Sequence, residues 1–117
     1  TSINLSGENE VNEIIKSYLT SKTSGEKEYN ININSEENRE VVSSDSKGDP
    51  KIYRLKIIVN YDVLVDEKII YKNSLVNQAT YNNISDKYEL SQYEENLKRS
   101  LSKNISNEIL FSIKIIN

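Results

Sequence analysis

The spacing of apolar residues along the chain predicts its first elements. Residues 8–21 place five apolar side chains on one side of a helix, at the spacing i, i+3, i+4, i+7 and i+8. These residues are Val11, Ile14, Ile15, Tyr18 and Leu19. Ahead of them, Ile3 and Leu5 alternate with polar residues, which predicts a short strand before the helix.

The middle of the chain alternates apolar and polar positions, which is typical of strands with one wet face. The alternation is clear over residues 28–35 and strongest over residues 51–65. The apolar face of the second run consists of Tyr53, Leu55, Ile57, Val59, Tyr61, Val63 and Val65. Between the two runs, Val41 and Val42 indicate that the first strand continues or restarts, and residues 45–50 form a turn cluster.

A further strand-like run follows after a very short connection. Residues 69–81 are rich in β-branched and aromatic side chains, and only Asp66–Lys68 separate them from the run before. Two such runs across so short a gap predict a β-hairpin.

The last third of the chain predicts a long amphipathic helix. Residues 82–90 are polar and loop-like, and Ser91 with Glu94 matches a capping box. The helix then covers about residues 91–113, with apolar residues four apart. These are Leu97, Leu101, Ile105 and Ile109. In this interpretation Lys98, Arg99, Lys103 and Glu108 lie mostly off the apolar stripe.

The predicted element order is strand, helix, strand, strand, strand, helix. Because most strands follow one another, the natural two-layer fold is a mixed or antiparallel four-stranded sheet with both helices on one face. A chain of 117 residues has the size of one domain, so we expect residues 1–117 to form a single α+β domain. The face expected to see water carries Arg54, Lys56, Asn60 and Asp62.

Composition narrows the classes of function. The chain carries 15 Lys and Arg against 18 Asp and Glu, a net charge of −3, which argues against a nucleic-acid module. Cysteine and histidine are both absent, which removes disulfides, thiolate metal sites and the commonest general base. Neither a glycine-rich dinucleotide motif nor a P-loop occurs. We therefore expect no catalytic residues, no cofactor and no bound metal.

Tyrosine supplies eight of the nine aromatic side chains. Tyr71, Tyr81 and Tyr88 cluster near the second hairpin strand and the loop after it, and they are candidates for a partner surface. Packing against the sheet is the alternative interpretation of the same residues.

Four lysines lie near the turns at the strand ends, namely Lys47, Lys51, Lys68 and Lys72. They are candidates to meet phosphate groups at one end of the sheet. Ordinary solvated turns are the alternative.

The second half of the chain resembles the LptE family, outer-membrane lipoproteins of lipopolysaccharide assembly in Gram-negative bacteria. The element order agrees over most of the chain, and the resemblance is specific over about residues 48–113. The motifs that carry it are Gly48 ahead of Tyr53–Leu55, the strand end Ala79–Asn82, the loop Ser85–Tyr88, and the helix start Tyr93–Leu97 followed by Leu101, Ile105 and Ile109.

This resemblance implies a non-enzymatic role. Members of the LptE family plug the barrel of LptD, help it to assemble and contact lipopolysaccharide. The implied partners are therefore an LptD-type outer-membrane β-barrel and lipopolysaccharide, on the periplasmic side of the outer membrane. Family members carry a lipid on an N-terminal cysteine, whereas this sequence begins at Thr1. We expect attachment to the membrane only through a lipid anchor that these residues do not contain.

No family motif maps onto the four lysines, which remain candidates for lipopolysaccharide contact because that lipid carries phosphates. The alternative function is a small periplasmic α+β module that binds a peptide or a small ligand. That function predicts a concave apolar pocket between the sheet and the helices.

Overall fold

The computed structural model describes residues 2–22 and 29–116, which form four strands and two helices. In chain order they are β1 (Ser2–Gly7), α1 (Asn9–Lys22), β2 (Asn30–Ser44), β3 (Pro50–Val65), β4 (Lys68–Asn82) and α2 (Lys87–Ile116). This is the order that the sequence predicts, and the predicted α+β fold is confirmed.

The strands form one mixed sheet in the order β1-β2-β3-β4. β1 runs parallel to β2, while β2 with β3 and β3 with β4 are antiparallel. α1 provides the crossover that a parallel pair requires. Both helices pack on the same face of the sheet, where they also contact each other. The predicted two-layer arrangement is therefore confirmed.

The core lies between this face and the two helices. Every second residue of β3 from Tyr53 to Val63 is buried, as predicted, because the pleat turns alternate side chains towards the same face. Most of the apolar residues expected on the helices are buried, together with Ile113, whereas Ile14, Tyr18 and Leu97 are only partly buried. The buried ones are Val11, Ile15 and Leu19 of α1 and Leu101, Ile105, Ile109 and Ile113 of α2. Each of these buried side chains contributes roughly 1.5–3 kcal/mol relative to exposure.

β2 is longer than its apolar pattern predicts. The alternation predicts a strand over residues 28–35, yet β2 continues to Ser44 through a charged stretch. Val41 and Val42 therefore belong to the same strand, which was one of the two possibilities. The reason is tertiary: β3 presents backbone groups along its whole length, and pairing with them satisfies those of β2 whatever its side chains are. Residue 28 lies outside the described residues.

α2 begins before the predicted capping box. Its first residue is Lys87, so the prediction of an N-cap at Ser91 is wrong. The Asp86 carboxylate instead accepts hydrogen bonds from the backbone N–H groups of Tyr88, at 2.9 Å, and Glu89, at 3.1 Å. Asp86 and Glu89 also have the capping-box spacing, so the local pattern contains two possible starts. The earlier start adds a helical turn whose leucine is buried.

The connection between β3 and β4 is a two-residue turn. Asp66 and Glu67 both have positive φ, 50° and 66°, as a type I′ hairpin turn requires. An L-residue with a bulky side chain is strained there, because its Cβ crowds the backbone.

We expect Glu67→Gly to raise the free energy of unfolding by about 0.5–1 kcal/mol, because glycine adopts positive φ without that strain. Urea denaturation would measure the difference. Lys68→Gly is the matched control: it changes the neighbouring residue, which is already in the strand, and should lower stability. An equal gain in both variants would contradict the turn geometry.

The molecule is a rod with principal dimensions of 57 × 22 × 21 Å. Its length is close to that of β3, whose 16 residues span about 53 Å at about 3.3 Å per residue, and α2 runs along about 45 Å of it. The β2–β3 turn and the β3–β4 turn lie at opposite ends of β3, and hence of the rod. These are called the β2–β3 end and the β3–β4 end below.

Candidate functional site

The face of the sheet away from the helices is uncovered, and is called the open face here. Its side chains come from alternate residues of all four strands, and none of them is buried. Two rows of paired residues cross it towards the β3–β4 end. The rows are Asn4, Asn32, Asp62 and Lys72, and then Ser6, Asn34, Asn60 and Ser74. This part of the open face therefore consists mainly of neutral amides and hydroxyls.

A shallow depression of about 260 Å³ lies in this part of the open face, between β1, β2 and β3. Asn4 Nδ2 donates to Asn32 Oδ1 across it at 2.9 Å, and Asn60 is exposed in its wall. Beside it, Lys72 Nζ lies 3.8 Å from the Asp62 carboxylate, which balances the local charge. Such a surface can donate and accept hydrogen bonds while attracting neither sign of charge.

The rest of the open face, towards the β2–β3 end, is more mixed. Arg54 donates to Glu40 at 2.8 Å, which pairs two of its charges. Ile58 lies opposite Val76 of β4, so two apolar side chains are placed among the polar ones. The polar residues that the sequence places on the wet side all lie on this face, as expected: Arg54, Lys56, Asn60 and Asp62.

On the helix side of the sheet, three tyrosine rings form a row at the β2–β3 end. The Tyr53 and Tyr81 rings stack with centroids 5.7 Å apart, and Tyr81 meets Tyr93 of α2 at 5.6 Å. Arg39 lies over the Tyr53 ring at 4.0 Å and its Nε donates to Glu94 at 2.5 Å. The Tyr81 hydroxyl donates to the same carboxylate. These five residues, called the tyrosine cluster, tie the first turns of α2 to the sheet.

Burial, and then the neighbouring Glu94 carboxylate, raise the pKa of Tyr81 to about 12. Both effects favour the neutral phenol. The folded chain therefore keeps this proton to a higher pH than the unfolded chain does. The stability that follows is complete below about pH 10 and is lost as the pH rises through about 12.

We expect Glu94→Gln to lower the pKa of Tyr81, because the charge of its acceptor is removed while its burial remains. The loss of the half-exposed pair with Arg39 should cost at most about 1 kcal/mol. Ultraviolet titration would measure the pKa, with Tyr81→Phe identifying the transition. Glu108→Gln, at an exposed position of the same helix, should change neither quantity, and an unchanged pKa in Glu94→Gln would contradict the cluster geometry.

Lys98 lies in the junction between α1, α2 and β2, so it is the exception among the charged residues predicted to lie off the apolar stripe. Arg99, Lys103 and Glu108 are exposed, as predicted. Lys98 is only 8% exposed. Its Nζ lies 2.9 Å from Glu10, 3.3 Å from Glu37 and 3.5 Å from Glu95. Burial alone would lower the pKa of Lys98, but the three carboxylates outweigh it and raise that pKa. Burial raises the pKa of Glu37, against the opposing effect of Lys98. These four residues form the Lys98 cluster.

The four candidate lysines do not form one site. Lys47 and Lys51 lie at the β2–β3 end, whereas Lys68 and Lys72 lie at the β3–β4 end. Lys51 is the second residue of β3, while Lys68 and Lys72 pair with Val65 and Asp62 of the same strand. At about 3.3 Å per residue, the two pairs are therefore roughly 35–45 Å apart. The expectation that all four meet phosphates at one end of the sheet is therefore wrong, and each pair is a separate candidate.

The three candidate tyrosines are also apart. Tyr71 is partly buried and packs against Tyr61, with ring centroids 6.0 Å apart. Tyr81 is only 5% exposed, so its ring belongs to the core and the packing alternative describes it. Tyr88, in the first turn of α2, is 73% exposed and is accessible to a partner. The structure does not bring the three side chains together as one surface.

Several small polar residues are buried between the helices and the sheet, which the apolar pattern of the sequence does not predict. Asn12 accepts a hydrogen bond from Ser35 Oγ at 2.6 Å and donates to the Ser6 carbonyl at 2.9 Å. Ser102 and Ser106 are buried in α2, where Ser106 Oγ donates to the Ser102 carbonyl at 2.9 Å. Their four-residue spacing beside the apolar stripe is a signal that could have indicated burial.

Within residues 2–20 and 29–115, no three Asp, Glu, Cys or His side chains are grouped so that they could hold a metal ion. Over their described lengths, neither α1 nor α2 contains an apolar stretch long enough to span a membrane. The described surface offers hydrogen bonds, ion pairs and aromatic contacts, and also exposed aliphatic side chains such as Ile69, Val76 and Ile115.

Comparison with known proteins gives matches among solved structures only. No family model and no curated protein sequence matches this chain. Rare lipoprotein B from Shewanella oneidensis matches with a TM-score of 0.73 at 15% identity, over 99% of this chain and 96% of that one. A minor lipoprotein from Acinetobacter baumannii matches with a TM-score of 0.69 at 15% identity, over 92% and 84%. Lipoprotein B from Nitrosomonas europaea gives 0.66 at 12% identity, over 93% and 79%. The chain therefore has the fold of these bacterial lipoproteins.

Proposed function

We propose that this chain is a non-enzymatic subunit of the LptE type, which occupies the lumen of an LptD-type outer-membrane β-barrel, helps that barrel to assemble and contacts lipopolysaccharide. The observation that carries the proposal is the match to rare lipoprotein B over 99% of this chain and 96% of that one. Rare lipoprotein B belongs to the LptE family. The motifs over residues 48–113 resemble the same family.

The dimensions of the rod suit a plug. A barrel of about 22–26 strands, spaced about 4.8 Å apart and tilted by about 40°, has a backbone diameter of roughly 45–50 Å. Each layer of side chains takes about 5 Å, which is half the distance between packed sheets. A rod whose cross-section is 22 × 21 Å would fit that lumen with its side chains in place.

The open face offers this plug a suitable contact surface. The inner wall of a channel-forming barrel is polar and wet. Asn34, Asn60 and their neutral neighbours can exchange hydrogen bonds with such a wall without the desolvation cost of unpaired charges. The nearby charges Arg54 and Lys72 already have carboxylate partners on the same face.

The two lysine pairs, at opposite ends of the rod, are separate candidates for contact with lipopolysaccharide. Phosphate groups bind ammonium groups through charge-assisted hydrogen bonds, so charge reversal at the contacting pair should weaken binding. The variants Lys47→Glu/Lys51→Glu and Lys68→Glu/Lys72→Glu are matched, because they change opposite ends of the same rod. Weakened binding in one variant only would identify the contacting end. Unchanged binding in both would remove the lysines from the proposal.

Co-purification tests the proposal as a whole. The tagged, full-length, lipidated protein would be co-expressed with the LptD-type barrel of the same organism and extracted in detergent. We expect a stable one-to-one complex, and a loss of folded barrel when the protein is depleted. A lipoprotein of another fold, with the same anchor and tag, is the control. A barrel that assembles and purifies without this protein would contradict the proposal.

The alternative function, a small periplasmic binding module, requires an apolar pocket between the sheet and the helices. One described depression is the polar one on the open face. A second, of about 470 Å³, lies on the outer side of the helix pair and is walled by Glu13, Tyr18, Arg99 and Lys103 among others. Neither lies between the sheet and the helices, so neither favours the alternative.

A further inference from the structure

The described sheet has three stretches of strand edge without a neighbouring strand. They are the outer edge of β1, the part of β2 that extends beyond its pairing with β1, and the outer edge of β4. Unpaired strand edges attract other strands, and soluble proteins commonly protect them with short length, charges, bulges or proline.

Two of these edges are protected in that way. β1 is only six residues long and ends at Gly7. The free part of β2 carries four charged side chains, and its register with β3 becomes irregular after Val41. These charged residues are Glu36, Glu37, Arg39 and Glu40. Another strand would have to desolvate or oppose them in order to pair there.

The edge of β4 is different. β4 is 15 residues long, and its only charged side chains, Lys68 and Lys72, fall within its first five residues. The ten residues from Asn73 to Asn82 contain no charge, no proline and no glycine. Their ladder with β3 is regular, since the single register shift lies next to the turn. In the middle of β4, Val76 lies on the open face and is 55% exposed. α2 packs on the other face of the strand, where Asn77 Nδ2 donates to the Leu101 carbonyl at 3.4 Å, and no other described strand lies beside the outer edge of β4.

We propose that the outer edge of β4 pairs with β4 of a second copy of this chain, so that two four-stranded sheets join into one about a two-fold axis near Val76. A two-fold axis at a shared edge makes the two strands antiparallel. In that register Lys72 lies opposite Thr80 of the second copy. Lys68 lies outside the paired stretch, because β4 of the second copy ends at Asn82. No two like charges meet, so the strand is complementary to itself.

The partner strand is assigned to a second copy because pairing of β4 with itself needs only the uncharged, regular edge that β4 already has. An uncharged strand about a two-fold axis repeats its backbone groups on both sides and forms about one hydrogen bond per paired residue. A closed barrel wall presents no free edge to pair with. The inference does not rest on the proposed function. The pair is about twice as wide as one rod, so pairing and occupation of a barrel lumen would exclude each other.

Single-cysteine variants test the pairing, because the native chain has no cysteine. Val76→Cys would face its own copy across the axis, and mild oxidation should convert it rapidly into a disulfide-linked dimer. Val42→Cys is the matched control: it is another exposed valine, 42% accessible, but on the protected edge of β2. Equal rates of dimer formation in the two variants would overturn the proposal.

Sedimentation equilibrium gives an independent reading without cysteine. We expect the native chain to show a monomer–dimer equilibrium. Its dissociation constant should rise about tenfold in Val76→Lys, because that change places two like charges face to face. The dissociation constant should be unchanged in Val42→Lys. Circular dichroism would establish that both variants are folded. A monomer at every concentration, or a dimer that Val76→Lys does not weaken, would overturn the proposal.

Discussion

Gly7→Ala should lower the free energy of unfolding by about 3 kcal/mol or more. Gly7 joins β1 to α1 with φ of 95°, and a Cβ added there would lie 1.9 Å from the backbone oxygen of Ser35. That oxygen cannot easily move, because it accepts the hydrogen bond from the Glu8 N–H at 3.0 Å. The variant would therefore combine backbone strain with a separation of β1 from β2.

Gly48→Ala separates the effect of backbone strain from the effect of the close contact with Ser35. Gly48 has a similar φ of 88°, but nothing lies within 4 Å of its added Cβ. It should cost only the backbone strain, about 1–2 kcal/mol. Urea denaturation of the three proteins would measure both effects. Equal losses in the two variants would contradict the close approach at Gly7.

Lys98→Ala should cost about 2–4 kcal/mol, the second large effect. It leaves Glu37 partly buried and without its cation, which costs more than the loss of an exposed ion pair. It also removes the link between α1 and α2 that Glu10 makes. Chemical denaturation at neutral pH would measure the loss.

Two further variants identify its cause. Lys103→Ala, on an exposed position of the same helix, should change stability by no more than about 0.5 kcal/mol. Lys98→Met combined with Glu37→Leu should recover much of the loss, since no unpaired carboxylate then remains at that position. A double variant as unstable as Lys98→Ala would show that the pairing of Lys98 with Glu37 does not explain the effect.

The elements that the sequence predicted well are those fixed by local periodicity. The buried face of β3, the apolar stripe of α1 and the β3–β4 hairpin each follow from residues adjacent in the chain. The extension of β2 to Ser44 did not follow, because β3 stabilises it across the sheet. Lys98 was misplaced for the same reason: two of its carboxylate partners, Glu10 and Glu37, come from α1 and β2.

The candidate contact residues were predicted less well, because nearness in sequence is a poor guide at the ends of long strands. Lys51 and Lys68 each lie next to a turn, but the full length of β3 separates those turns. Tyr81 and Tyr88 are seven positions apart, yet one ring is in the core and the other is in solvent. Only the packing of α2 on the sheet distinguishes them.

The proposed position of the rod inside a barrel is tested most directly by protection of the open face. Asn34→Cys and Asn60→Cys each place one thiol in the neutral part of that face, towards the β3–β4 end, in a chain with no other cysteine. Labelling with a membrane-impermeant maleimide would be compared between the free protein and its complex with the LptD-type barrel. We predict that both thiols react rapidly in the free protein and are strongly protected in the complex. Equal labelling in the two states would contradict the account.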